Sequence, residues 1–297
     1  MSRVGLEESS QGARLRGRSC GWGGIALLML AVCAPPERAA ADVLSDLVSR
    51  CAAPETPVAE VLTACERALA QSGDRLDHAN RAAVHYNAGV AALDLGRAVQ
   101  AEGHFAEAVV LQPRMAEAHV SLGLALEAQA KHEAAIESYG RAISADAAAP
   151  GAWLARGRLL LRTGRPAEAV ADFTDAISRE PEWEASFLER GRAHFALADY
   201  RRAEADFSAV IARAPRDPAA WLYRAEARSA LGIAAARNDF DRAVMLAPEW
   251  GAARYARGLW FEAAGEAEAA ATDFLRAYEL GHSAPGLTER VRALSAG

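Results

Sequence analysis

The chain has 297 residues, 52% hydrophobic and 24% charged, a balance that fits a folded chain and excludes an extensively disordered one. Its net charge is −6, and the chain beyond residue 41, with 28 basic and 36 acidic residues, has no Lys/Arg cluster. Nucleic acid and an anionic membrane surface are therefore poor partners for it. In chain order, Arg14, Arg16 and Arg18 precede an apolar run from Trp22 to Ala34, and Ala39-Ala40-Ala41 stand before Asp42. This basic, apolar, Ala-x-Ala order is that of a secretory leader, so residues 1–41 are expected to act as an export signal and the protein to be periplasmic. The apolar run is too short for a comfortable membrane span, and none is expected after cleavage. Two alternatives stay open. One is a retained anchor. The other is an outer-membrane lipoprotein lipidated at Cys33, although Val32 is bulkier than that attachment pattern prefers.

Residues 42–81 read as a degenerate N-terminal helical cap. Val43, Leu44, Leu47 and Val48 mark a short helix, and Val58 to Gln71 a longer one with Val61, Leu62, Cys65 and Leu69 on one face. Cys51 and Cys65, with 13 residues between them, are expected to form a disulfide in an exported chain, the alternative being two buried thiols. Closing a loop of that size stabilises by about 3 kcal/mol in the chain-entropy account.

From residue 82 the chain repeats. Gly89, Gly123, Gly157 and Gly191 are 34 residues apart, and Ala225 and Gly258 continue the row. Phe105, Tyr139, Phe173, Phe207, Phe240 and Phe274 keep the same step, as do Pro113, Ala147, Pro181, Pro215 and Pro248. One residue is missing between Gly232 and Ala236, in a turn. Six units follow: 82–115, 116–149, 150–183, 184–217, 218–250 and 251–284. Each holds one helical stretch, a short turn often marked by Gly96, Gly164, Gly232 or Gly265, and a second stretch ended by proline. No segment alternates like a strand. Two helices per unit cannot bury their apolar faces alone, so the fold class is all-α, an α-solenoid of antiparallel helix hairpins. Leu287, Val291 and Leu294 place a capping helix in 285–297.

The residues of 82–284 resemble the tetratricopeptide repeat family, whose pattern is a bulky residue, a small residue in the first helix, then a small residue and an aromatic in the second, then proline. Trp153 and Trp221 hold the bulky slot, replaced elsewhere by His85, His119, Phe187 and Arg254. The resemblance implies a superhelix of stacked hairpins and an exported bacterial scaffold that binds a protein or peptide in a concave groove lined by the first helices. The groove residues it implies include Leu154, Arg158, Leu188, Glu189, Arg192, Phe195, Tyr223, Glu226 and Tyr255. Arg158, Arg192, Phe195 and Tyr223, with Leu188 and Tyr255, form the arginine–aromatic patch expected to bind, a composition favoured at interaction hot spots. The Lys/Asn/Arg clamp by which some members grip a terminal carboxylate is absent.

Units three to six carry a further pattern. Arg156, Arg190, Arg224 and Arg257 precede the small residue of the first helix, and Asp172, Asp206, Asp239 and Asp273 precede the aromatic of the second. Units one and two have Ala88 with His104 and Leu122 with Ser138. Because the two positions change together, structural Arg–Asp ion pairs are expected, within a unit or to the next. There is no phosphate-binding loop, nucleophile elbow or His-Glu-x-x-His, so neither an enzyme nor a cofactor is expected. His85, His119 and His104 are read as packing residues, not as a metal site. A second functional reading is an accessory subunit of an envelope enzyme that remodels cell wall or glycans.

Overall fold

The computed structural model describes residues 36–295, and every regular element there is an α-helix. The chain divides into two compact halves at Ala147 and Ala148. The first holds α1 (Pro36–Ala52), α2 (Val58–Ser72), α3 (His78–Asp94), α4 (Ala98–Leu111), α5 (Ala116–Glu127) and α6 (His132–Ala145). The second holds α7 (Pro150–Arg162), α8 (Pro166–Arg179), α9 (Glu184–Ala196), α10 (Tyr200–Arg213), α11 (Pro218–Ala230), α12 (Ala236–Leu246), α13 (Gly251–Ala263), α14 (Ala267–Glu279) and α15 (Leu287–Ser295). The architecture is an all-α solenoid of helix hairpins. Most of the expected leader, with Cys33, lies outside the described residues. α1 begins at Pro36 and so runs through Ala39–Ala41, where cleavage was expected. α3 begins four residues ahead of position 82, because the Asp77 carboxylate accepts a hydrogen bond from Asn80 N at 2.7 Å and caps it.

The 34-residue rows of small and aromatic residues are one contact repeated. A Cβ built on Gly89, Gly123, Gly157, Gly191 or Gly258 would stand 2.4–2.7 Å from Phe105, Tyr139, Phe173, Phe207 or Phe274 respectively. The ring of the second helix thus lies directly against the bare backbone of the first, and these rings are among the most buried side chains. Ala225, the exception, belongs to the hairpin whose turn is one residue shorter. Between the two helices the chain must pass through one residue of positive φ. Glycine supplies it four times, but Ala130 and Ala198 take it too, each at φ 58°.

Proline ends the second helices and also tells the next hairpin where to sit. Pro113, Pro181, Pro215 and Pro248 directly follow the C-caps of α4, α8, α10 and α12. Their carbonyls accept from the bulky slot of the following hairpin. His119 Nε2 reaches Pro113 O at 3.0 Å, Trp221 Nε1 donates to Pro215 O at 3.0 Å, and Arg254 Nε to Pro248 O at 2.9 Å. Phe187 has no donor in that slot, and Arg213 Nη2 supplies one to Pro181 O at 3.3 Å. Tryptophan, histidine and arginine interchange there because each carries an N–H on a large flat group.

At the N-terminal end the Cys51–Cys65 disulfide joins α1 to α2, and both cysteines are fully buried beside Leu47, Val61 and Val84. At the C-terminal end α15 lays Leu287 against Phe261 and Phe274. In the second half each first helix packs on its own second helix, and α9, α11 and α13 also pack on the second helix of the preceding hairpin. Successive first helices also touch: α7 with α9, α9 with α11, α11 with α13.

Candidate functional site

The four arginine–aspartate pairs are bidentate and lie within a hairpin. Arg156 Nε and Nη2 donate to the two oxygens of Asp172 at 2.8 and 2.7 Å, and Arg190 to Asp206 at 3.0 and 2.7 Å. Arg224 meets Asp239 at 2.9 and 2.8 Å, and Arg257 meets Asp273 at 2.7 and 2.8 Å. All four aspartates are buried. The hydrogen bonds to Asp172 and Asp273 raise the affinity of Arg156 and Arg257 for their protons further. In three of the four, the remaining Nη1 reaches back to the preceding hairpin. Arg190 donates to Thr174 Oγ1 at 3.3 Å, Arg224 to Ser208 Oγ at 3.2 Å, and Arg257 to Asp241 Oδ1 at 2.8 Å. The same guanidinium therefore closes its own hairpin and binds it to the one before.

The first two hairpins solve the same position differently. Ser138, in the aspartate slot of the second, donates Oγ–H to the His119 carbonyl at 2.9 Å. His104, in that slot of the first, faces His85 with its Nδ1 3.3 Å from the Nδ1 of the other ring. His85 thus neighbours His104, their ring centroids 5.5 Å apart. Burial first, then His104 and Arg81, push His85 down to about 4. Burial also lowers His104, against the pull of Glu66 and Glu107. Among the described residues no three His, Cys, Asp or Glu side chains form a group that could hold a metal ion.

On the first helices of the second half, three of the six candidate groove residues come together. Glu189 on α9, itself buried, takes Arg158 of α7 on one oxygen (Nε–Oε1, 2.9 Å) and Arg192 on the other (Nη1–Oε2, 2.8 Å). The Arg192 guanidinium lies over the Tyr223 ring of α11, 5.7 Å from its centroid. Arg158, Glu189, Arg192 and Tyr223 so form one strip across three successive helices. Both arginine side chains stay about half exposed, at 50% and 45%. The other three candidates are used in packing. Leu188 and Phe195 pack against the cluster of Ala203, Phe207 and Ala227, and Phe195 also meets Tyr200 edge-on at 5.1 Å. Tyr255 stacks near Phe274 and His282 and donates its hydroxyl to Pro285 O at 3.0 Å, so it serves the C-terminal end. Leu154 and Leu222 are buried.

Glu226 continues the strip. It follows Ala225 as Arg192 follows Gly191 and Arg158 follows Gly157. It is partly buried, and it has no hydrogen-bond or ion-pair partner among the described residues. Burial alone pushes its carboxyl up to about 7.

A family model for the tetratricopeptide repeat matches residues 86–152, 154–189 and 188–232. No curated protein matches the sequence. Among solved structures, a tetratricopeptide repeat protein from Parabacteroides merdae aligns at TM-score 0.61 and 18% identity, over 86% of this chain and 97% of its own. PilW, described as a widely conserved type IV pilus biogenesis factor, aligns at TM-score 0.62 and 18% identity, over 72% of this chain and 97% of its own. YrrB, described as a repeat protein with an unusual peptide-binding site, aligns at TM-score 0.56 and 16% identity, over 66% and 98%. At these identities the likeness is one of fold. No described helix is long and apolar enough to cross a membrane.

Proposed function

Because the chain belongs to the tetratricopeptide repeat family, we propose that it is a non-catalytic scaffold that holds a peptide or partner domain on the first-helix face of residues 148–297. The observation that carries this reading is the strip of Arg158, Glu189, Arg192 and Tyr223, which crosses three hairpins and leaves two guanidinium groups facing solvent. A guanidinium backed by a carboxylate and an aromatic ring is held in place before a partner arrives, so less entropy is lost on binding. In this reading residues 82–284 are the six binding repeats, 42–81 a cap tied by Cys51–Cys65, and 285–297 the closing helix. The leader-like order of residues 1–41 and the disulfide support an exported, periplasmic protein.

The test is recovery of partners from envelope extracts on the immobilised protein, wild type against Arg158→Gln/Arg192→Gln. Glutamine keeps an amide N–H that can donate to the buried Glu189 carboxylate, and helical content by circular dichroism equal to wild type is required before recoveries are compared. Partners retained by the wild type and lost by the variant are the expected result. Identical recovery by both would overturn the assignment of this face.

A further inference from the structure

The strip is not uniform in charge, and its two ends ask for different things. Arg158 and Arg192 share the single carboxylate of Glu189, so that end carries a net positive charge. Arg158 spends only its Nε on Glu189, which leaves both of its Nη groups to donate outward. Such a pair is built to take a second carboxylate, approached from solvent, in the planar two-point geometry guanidinium favours. One hairpin further on, Glu226 presents the opposite charge in the same register and has no cation of its own. A carboxylate that half-titrates near neutral pH because it is desolvated and unpaired is stabilised by whatever brings it a positive charge. Nothing in the hairpin supplies that charge: Arg224 is bound to Asp239, and Arg228 to Glu204 and Asp239.

We infer that this face receives an extended peptide bearing an acidic side chain and, about three residues along, a basic one, the acid seated on Arg158 and Arg192 and the base on Glu226. The spacing comes from packing. Arg192 and Glu226 occupy equivalent positions on α9 and α11, which touch. Packed helices lie about 8–10 Å apart, and an extended chain advances about 3.3 Å per residue. A nucleic acid is a poor occupant, since Glu189 stands between the two arginines and Glu226 beyond them, and both would repel its phosphates. The inference rests on the first-helix face being a peptide site, and the experiment separates the two.

A library of random linear dodecapeptides displayed on phage is selected on the purified full chain with its disulfide intact. Enriched peptides are then measured by fluorescence polarisation as blocked synthetic peptides. The expected result is enrichment of Asp or Glu followed at the third position, within one, by Lys or Arg. Glu226→Gln should weaken such a peptide about tenfold and leave a peptide carrying only the acid unchanged. Arg158→Gln/Arg192→Gln should weaken both. If peptides enrich and lose affinity with the arginine variant, yet show no basic preference and ignore Glu226→Gln, the paired-charge inference falls while the peptide site stands. If no peptide is enriched whose binding depends on Arg158 and Arg192, both readings fall. Glu226→Gln carries its own folding check: it should raise the urea midpoint at pH 8 and leave it unchanged at pH 4, where Glu226 is already protonated.

Discussion

The Arg156–Asp172 pair allows a prediction whose control the protein itself provides. Asp172 is almost fully buried, with a side chain 5% exposed, and both of its oxygens are held by a guanidinium 24% exposed. Arg156→Leu leaves that carboxylate buried without a counter-charge, which costs about 3–4 kcal/mol. Asp172→Ser strands the arginine instead, but its partial exposure lets water reach it, so the cost is about 2 kcal/mol. The double change Arg156→Leu/Asp172→Ser reproduces the leucine and serine found in the second hairpin, where Ser138 bonds the His119 carbonyl. It should lie within about 1 kcal/mol of the wild type, because replacing both partners of a buried pair is nearly neutral. The cycle therefore yields a coupling of about 4–6 kcal/mol, measured by urea unfolding followed at 222 nm. With a slope of about 2 kcal/mol per molar, the single variants move the midpoint down by about 1–2 M and the double variant hardly at all. Additive losses in the double variant would refute the view that the pair acts as a unit that can be exchanged whole.

Three further outcomes are expected. Gly191→Ala puts a Cβ 2.6 Å from the buried ring of Phe207, which cannot move aside, and should cost about 2–3 kcal/mol in the same urea assay; an unchanged midpoint would remove the ring-on-backbone contact as the reason for glycine. Ala130→Gly with Ala198→Gly relieves two left-handed alanines, each worth about 1 kcal/mol of strain, less the extra freedom of the unfolded glycines. The net gain of about 0.5–1 kcal/mol appears as a raised melting temperature, and a fall would contradict it. His85, held at about 4 in the folded chain against 6.5 unfolded, contributes stability that is complete above pH 6.5 and lost as pH falls towards 4. After allowance for solvent screening this is about 1–2 kcal/mol, and burial of His104 acts in the same direction. Glu226, raised from 4.5 to about 7, slopes the other way over pH 4.5–7. The comparison is thus of urea midpoints at pH 7 and pH 5 for wild type and His85→Gln, and equal pH dependence in the two would refute the assignment.

The array and its bonds were legible in the sequence to different depths. The glycine and aromatic rows each keep nearly one residue type, broken only by Ala225 and Tyr139, so their step of 34 shows directly. The arginines and aspartates showed as a pair because both disappear in the same two units. Thr174, Ser208 and Asp241 keep the same register, directly after the aromatic, but they are three residue types united only by an oxygen within reach of arginine. The bulky slot hid its role likewise: His119, Trp221 and Arg254 differ in size and charge and share an N–H aimed at a proline carbonyl. For the candidate site, register alone could not tell Tyr255 from Leu188, since each has a neighbour beyond its own repeat, Pro285 for the one and Ala227 for the other. Tyr255 is taken up by Pro285 and His282 at the end of the array, and Leu188 by Phe207 and Ala227 within it. Register did bring Arg158 and Arg192 to one face, but the carboxylate between them had first to be seen buried.

The bonds between hairpins also have a direction. His119, Trp221, Arg254 and Arg213 each reach a carbonyl of the hairpin before their own, and the third nitrogens of Arg190, Arg224 and Arg257 reach side-chain oxygens of the hairpin before theirs. The more solvent-exposed pairs Arg158–Glu189 and Arg237–Glu266 run the other way. A ribosome delivers the amino-terminal hairpins first. Each newly emerged hairpin of this chain finds the acceptors for its inward donors already folded upstream, and none of these donors waits on residues not yet made. Shortening the array from its carboxyl end leaves those donors satisfied, whereas removing hairpins from the amino end strands them. The order of synthesis and the order of dependence coincide.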